Sequence, residues 1–182
     1  MKRIVVCDSG LGGLNIAARF FAENLREVAP ECEIVYFNAY PEAGRGFNTF
    51  PSERRQEEVL RDVFVGIGHF EPDLCLIACN TLSIVWERLS ARYTPPFPVA
   101  GIVEAATQGM AAALMKDERS TLLVLGTRST VESGTYPKRL VALGIDGSRL
   151  YALGCPKLAT LDRKSTRLNS SHATPSRMPS SA

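Results

Sequence analysis

The sequence has no apolar run long enough to span a bilayer. It has no basic, apolar leader either: Met1-Lys2-Arg3 leads straight into a strand-like run, so no signal peptide is expected. Cysteine is sparse, and the five thiols have neither metal-ligand spacing nor the look of a disulfide framework. Three of them sit in or beside apolar runs, which fits a reducing, cytoplasmic setting. An excess of positive charge is missing too. The formal net charge is +2, but four of the 21 basic residues and none of the 19 acidic ones fall in residues 163–182. Residues 1–162 therefore hold 17 basic against 19 acidic groups, and nothing in them suggests a nucleic-acid surface.

What is present is a 45% hydrophobic chain, enough for one ordinary globular domain or one and a half small ones. Its centre of interest is Pro72 to Ser83. Leu74 to Ala78 reads as a buried strand, Cys79 follows directly, and Asn80, Thr81 and Ser83 are suited to cap a helix running through Ile84, Val85 and Leu89. A thiol at the carboxyl end of a strand, facing a helix N-terminus, is placed where open α/β sheets carry chemistry. The free amides and the helix dipole there favour the thiolate. The residues alone leave two readings of Cys79, an activated nucleophile or a buried structural cysteine like Cys75.

Around it the pattern alternates between strand and helix. Arg3 to Cys7 is a strand, Asp8 to Gly13 a tight turn, and Leu14, Ala17, Ala18, Phe21 and Leu25 share a helical face that Pro30 ends. The turn is not a P-loop, because no Gly-Lys-Ser/Thr closes it, and it fits the dinucleotide fingerprint badly. Its glycines serve tight turning, or bare amides to an anion. Cys32 to Phe37 is a second strand, followed by a long loop with Arg45 and Asn48, and then a helix opened by Pro51-Ser52-Glu53. His69 stands at that helix's end as a dipole partner. The prolines between Tyr93 and Pro98 suggest a boundary. Beyond them come a strand (99–103), an Ala-rich helix, a strand (121–125) and the hydroxyl-rich run Gly126 to Tyr136, read either as helix capping or as a cradle for a carboxylate. Leu150 to Leu153 is a last strand. From Asp162 the chain turns Ser-rich and loses apolar periodicity; this segment is expected to be a disordered tail, of the kind that cloning adaptors add.

Four stretches together resemble the cofactor-independent aspartate/glutamate racemases. They are Asp8-Ser9-Gly10-Leu11-Gly12-Gly13, Ala78-Cys79-Asn80-Thr81, Pro98 to Glu104, and Gly126-Thr127 with Thr130, Ser133 and Tyr136, in that order over residues 1 to about 161. The resemblance implies an α/β fold with a parallel sheet flanked by helices: a first domain at 1–97, a partial second α/β domain at 98–161 and a tail at 162–182. It implies racemisation of glutamate for peptidoglycan precursor supply by two opposed thiols. No cofactor or metal is expected. Cys79 would be one acid/base and Asp8 would orient or activate it. Ser9, Asn80, Thr81, Thr127 and Thr130 would hold the substrate, with Arg45 as a carboxylate ligand or a surface residue. The expected partner is a small amino acid, with neither nucleic acid nor membrane; a homodimer is compatible with an intact parent.

The sequence departs from that family at three places. The second thiol's Gly-Cys-Thr-His-Tyr motif is absent, and Gly154-Cys155-Pro156-Lys157 resembles an earlier, non-catalytic motif. Gly44-Arg45-Gly46 stands where the family has Pro-Tyr-Gly, and Ala39 where it has an aspartate. A chain ending before the second thiol is expected to be inactive. The alternatives are a dicarboxylate isomerase or decarboxylase of the same superfamily, and a non-catalytic small-acid binding domain.

Overall fold

The computed structural model describes residues 1–19, 22, 31–40 and 47–155. Arg45, the loop segment 41–46 and the tail from 156 lie outside the described residues, as do Phe21 and Leu25 of the expected first helix. Among the described residues, six strands and six α-helices follow one another as β1 (Lys2–Asp8), α1 (Gly12–Arg19), β2 (Cys32–Asn38), α2 (Glu53–Gly68), β3 (Leu74–Ile77), α3 (Asn80–Leu89), β4 (Val99–Gly101), α4 (Ile102–Lys116), β5 (Leu122–Gly126), α5 (Arg128–Glu132), α6 (Thr135–Ala142) and β6 (Leu150–Gly154).

The first sheet is parallel throughout, in the order β2-β1-β3-β4. Its strands are short apolar runs because helices cover them. The core joins Val5, Cys7, Cys75 and Ile77 of the sheet to Leu60, Phe64 and Ile67 of α2 and to Leu82, Val85 and Leu89 of α3. Phe64 anchors it, edge-on to Trp86 at 5.2 Å and to Phe97 at 6.1 Å. Ser52 caps α2, its side chain accepting from the Arg55 amide, as the Pro-Ser-Glu opening predicts. His69 is that helix's C-cap.

The chain leaves β1 for β2 on one side and then crosses to β3 on the other. The connections therefore diverge between β1 and β3, which opens a crevice at their carboxyl ends. The register sets Asp8 level with Asn38 and Ile77 level with Gly101, so Asp8-Ser9 and Ala78-Cys79 emerge side by side at that edge. The Ala78 amide bonds back to the Cys7 carbonyl at 2.8 Å.

Three details differ from the sequence expectations. The helix after β1 buries Gly13 and Ala17, while Leu14 and Ala18 are exposed. The reason is steric: a Cβ on Gly13 would stand 2.8 Å from the Asp8 Cβ and 3.0 Å from the Ala78 Cβ, so α1 docks on its smallest residue. Cys79 itself is the N-cap of α3, without a side-chain cap bond. Ser83 instead ties two connections together, its hydroxyl donating to the Ile77 carbonyl at 3.4 Å and accepting from the Ile102 amide at 3.1 Å. Finally, β4 lies beyond the proline cluster yet pairs with β3, so the first sheet takes its fourth strand from past residue 97.

The second sheet is the parallel pair β5-β6. One face packs on α4 and α6 through Leu122, Leu150, Ala111, Leu114 and Leu140. The other presents Leu123, Leu125, Tyr151 and Leu153, each more than half exposed.

Candidate active site

Asp8 is buried at the end of β1. One carboxylate oxygen accepts from the Gly10 amide at 2.6 Å, and the Asp8 carbonyl accepts from the Ala39 amide at 2.7 Å. Across the crevice the Ser9 hydroxyl lies 3.2 Å from the Cys79 sulfur. Tyr36 closes the floor by donating its hydroxyl to the Gly10 carbonyl. Burial, then the Asp8 carboxylate, push the Tyr36 phenol up to about 12, so it stays a donor.

The thiol at Cys79 behaves otherwise than the helix-terminus argument predicts. Burial raises its pKa above the ordinary value and the Asp8 carboxylate raises it further. The Ser9 hydroxyl and the Leu82 and Ser9 amides pull the other way, as expected of donors at a helix start, and they are outweighed. Burial and the neighbouring Asp8 carboxylate thus favour the S–H form of Cys79 over the thiolate. Burial drives Cys75 to about 12 and Cys7 well above its ordinary range, so both are core thiols.

The second half meets this edge through α5 and α6. Thr127 caps α5, its hydroxyl accepting from the Thr130 amide at 3.3 Å and lying 2.9 Å from the Thr130 hydroxyl and 3.1 Å from that of Ser129. A Cβ on Gly126 would come within 3.2 Å of the Thr130 methyl, which explains the glycine before this turn. Thr81 and Thr130 both line a cleft of about 300 Å³ between α2, α3 and α5, with Ser52, Gln56 and Arg88; Cys79 is not among the lining residues. Two polar links then join α3 to α6: the buried Tyr136 donates its hydroxyl to the Asn80 side-chain oxygen at 2.6 Å, and Arg139 pairs with Glu87 at 2.9 Å.

The structure thus brings Asp8, Ser9 and Cys79 together, joins Asn80 to the second half, and sets Thr81 and Thr130 across one cleft, whereas Thr127 is not among that cleft's lining residues and bonds to Thr130 instead. Arg45 lies outside the described residues. The sequence reading gave no role to Tyr136 or Tyr36. Tyr136 had a signal, its place in the Thr-Ser-Tyr spacing; Tyr36 had none beyond its strand. Among the described residues no group of three His, Cys, Asp or Glu side chains could hold a metal ion, and no helix is long and apolar enough to cross a membrane.

A carboxylate, a hydroxyl and a thiol at the switch point of a parallel sheet define an α/β protein with a small polar site between two connected halves. The family model for Asp/Glu/Hydantoin racemase matches residues 16–175, and the chain belongs to that family. It is 29% identical over 160 residues to a glutamate racemase of Aquifex aeolicus, covering 87% of this chain and 57% of that protein. It is 31% identical over 159 residues to one of Streptococcus pneumoniae, covering 85% of this chain and 53% of that protein. The glutamate racemase structure from Campylobacter jejuni superposes with a TM-score of 0.73 at 26% identity, covering 92% of this chain and 64% of that one. The chain therefore spans between half and two thirds of the length of these relatives.

Proposed function

We propose that this chain carries the first half of a cofactor-independent racemase site of the aspartate/glutamate class, and that Cys79 is one of its two acid/base groups. The observation that supports this reading most is the Cys79 sulfur 3.2 Å from the Ser9 hydroxyl at the switch point, beside buried Asp8. Racemisation removes the α-proton from one face of the substrate carbon and returns one to the other. Two acid/base groups must flank a planar carbanion, one starting deprotonated and one protonated. A thiol raised by burial and by Asp8 starts as S–H, the donor form; for the opposite enantiomer it must start as the thiolate and accept the α-proton, while the group on the other face donates. In its thiolate form, the Ser9 hydroxyl and the Leu82 amide are the groups that hold it.

With no pyridine ring drawing charge from the carbanion, fixed donors must do so. Asn80, Thr81, Thr127 and Thr130 are the proposed holders of the carboxylates and ammonium, and Asp8 the group that tunes Cys79. The second thiol is proposed to lie in the part of the relatives that this chain does not match. Glutamate is the proposed substrate, by analogy with the named relatives, with cytoplasmic supply of D-glutamate for peptidoglycan as its use.

The test on this chain is substrate protection of the thiol. D- or L-glutamate at millimolar concentration is expected to slow alkylation of Cys79 by iodoacetamide severalfold while leaving Cys32 unaffected. Equal rates with and without either glutamate or aspartate would contradict the site.

A further inference from the structure

We infer that Tyr136 is a positioning residue for Asn80, and that it aims the Asn80 amide group at the approach path to Cys79. This rests on the reading of Cys79 as the reactive thiol. Asn80 is the first residue of α3, next to Cys79, and its side chain is exposed at the crevice edge. A free asparagine at such a place rotates between presenting its oxygen and its NH₂ group. Here the choice is made from the other half of the molecule. The Tyr136 hydroxyl can donate only one hydrogen, and it donates to the Asn80 oxygen at 2.6 Å. That engages the acceptor end and leaves the two N–H donors facing away from Tyr136.

Tyr136 is itself held on two sides. It is 4% exposed and packs with Ile84 and Val103. One turn along α6, Arg139 pairs with Glu87 at 2.9 Å, seven residues beyond Asn80 on α3. Asn80, Ile84 and Glu87 thus form one stripe on α3, gripped at both ends by polar links and in the middle by apolar contact. Burial, then Glu87 and Cys79, raise the Tyr136 phenol above its ordinary value, so the hydroxyl keeps its hydrogen through the working pH range. A donor amide fixed beside a thiol favours an incoming carboxylate over a neutral group of the same size. The two halves are thereby coupled: the geometry of α6 decides which face Asn80 shows to a ligand.

The experiment compares two alkylating reagents of similar shape and opposite demand, iodoacetate (anionic) and iodoacetamide (neutral), by mass spectrometry at Cys79 and Cys32. The readout is the ratio of the two rates at Cys79, which cancels any general change in exposure or acidity of the thiol. Removing one hydroxyl in Tyr136→Phe is expected to lower that ratio about fivefold, the weight of one neutral hydrogen bond. Asn80→Ala is expected to lower it at least as much, and the double variant no further than Asn80→Ala alone. The ratio at Cys32 should not move. If Tyr136→Phe leaves the Cys79 ratio unchanged while Asn80→Ala lowers it, Tyr136 only supports packing and the inference is wrong. If neither moves it, Asn80 does not face the path to Cys79 and the inference is wrong for that reason. Failure of the racemase reading shows elsewhere, as absence of glutamate protection with the ratio effect intact.

Discussion

Cys79 owes its character to three neighbours, each traceable to a short piece of sequence. The strand end buries it, Asp8 adds a negative charge, and the Ser9 hydroxyl and amide with the Leu82 amide supply donors. The first two win, so the thiol titrates above its ordinary value and is mostly S–H at neutral pH. The sign is fixed by Asp8: a carboxylate disfavours a second anion beside it. Asp8→Asn keeps the acceptor for the Gly10 amide and removes the charge, so it should lower the Cys79 pKa. Alkylation of Cys79 at pH 7 is then expected to rise, with its pH profile shifted to lower pH. A rate unchanged from wild type would show that Asp8 does not face the sulfur electrostatically. The strand, the turn and the thiol at their junction were legible in the sequence, because short apolar runs and glycines mark them. The direction of the pKa shift was not, because it depends on how close Asp8 comes to the sulfur across two strands that are about seventy residues apart in the chain.

The elements themselves were readable where periodicity and capping residues coincide. The helix opened by Pro51-Ser52-Glu53 buries Leu60, Val63, Phe64 and Ile67 at their helical spacing. The first helix docks on a different face from the one its apolar periodicity marks: the periodicity favours Leu14, while the helix buries Gly13 and Ala17, and the contact with Asp8 and Ala78 leaves no room for a Cβ at Gly13. A glycine chosen for close approach looks the same in sequence as one chosen for a turn. The consequence is testable. Gly13→Ala puts a methyl 2.8 Å from the Asp8 Cβ and 2.9 Å from a carboxylate oxygen, with Ala78 at 3.0 Å behind it. None of these is the end of a flexible chain, so α1 or Asp8 must move. The expected cost is about 1–3 kcal/mol in urea unfolding, together with a changed Cys79 alkylation rate. Wild-type values for both would mean that α1 does not bear on the site.

For the molecule as a whole, the two sheets are in unequal states. The four-stranded sheet is covered by helices, whereas the β5-β6 pair leaves Leu123, Leu125, Tyr151 and Leu153 open to solvent. A parallel sheet normally has both faces covered, and contiguous exposed apolar side chains drive association. Leu125→Lys with Leu153→Lys is expected to reduce concentration-dependent association in sedimentation experiments while leaving the melting temperature nearly unchanged. Unaltered association would place the sticky surface elsewhere. The boundary expected at the prolines was only partly legible, because proline marks the connection and not the sheet to which the next strand adds; β4 is three residues long and its partner is β3.

The central claim is the proposal that Cys79 exchanges the substrate's α-hydrogen from one face and that a second group, proposed to lie in the part of the relatives this chain does not match, serves the other. The direct measurement is α-hydrogen exchange of D- and L-glutamate and aspartate in deuterated water, followed by NMR with chirality read separately. It is made on this 182-residue chain, on a form extended by the part of its relatives that this chain does not match, and on Cys79→Ser in that extended form. The account predicts no interconversion of enantiomers by the chain, interconversion of at least one amino acid by the extended form, and loss of at least a thousandfold on Cys79→Ser, as expected when an acid/base group is removed. Racemisation by the 182-residue chain at a rate near that of the extended form would contradict it, and would make Cys155 the second base.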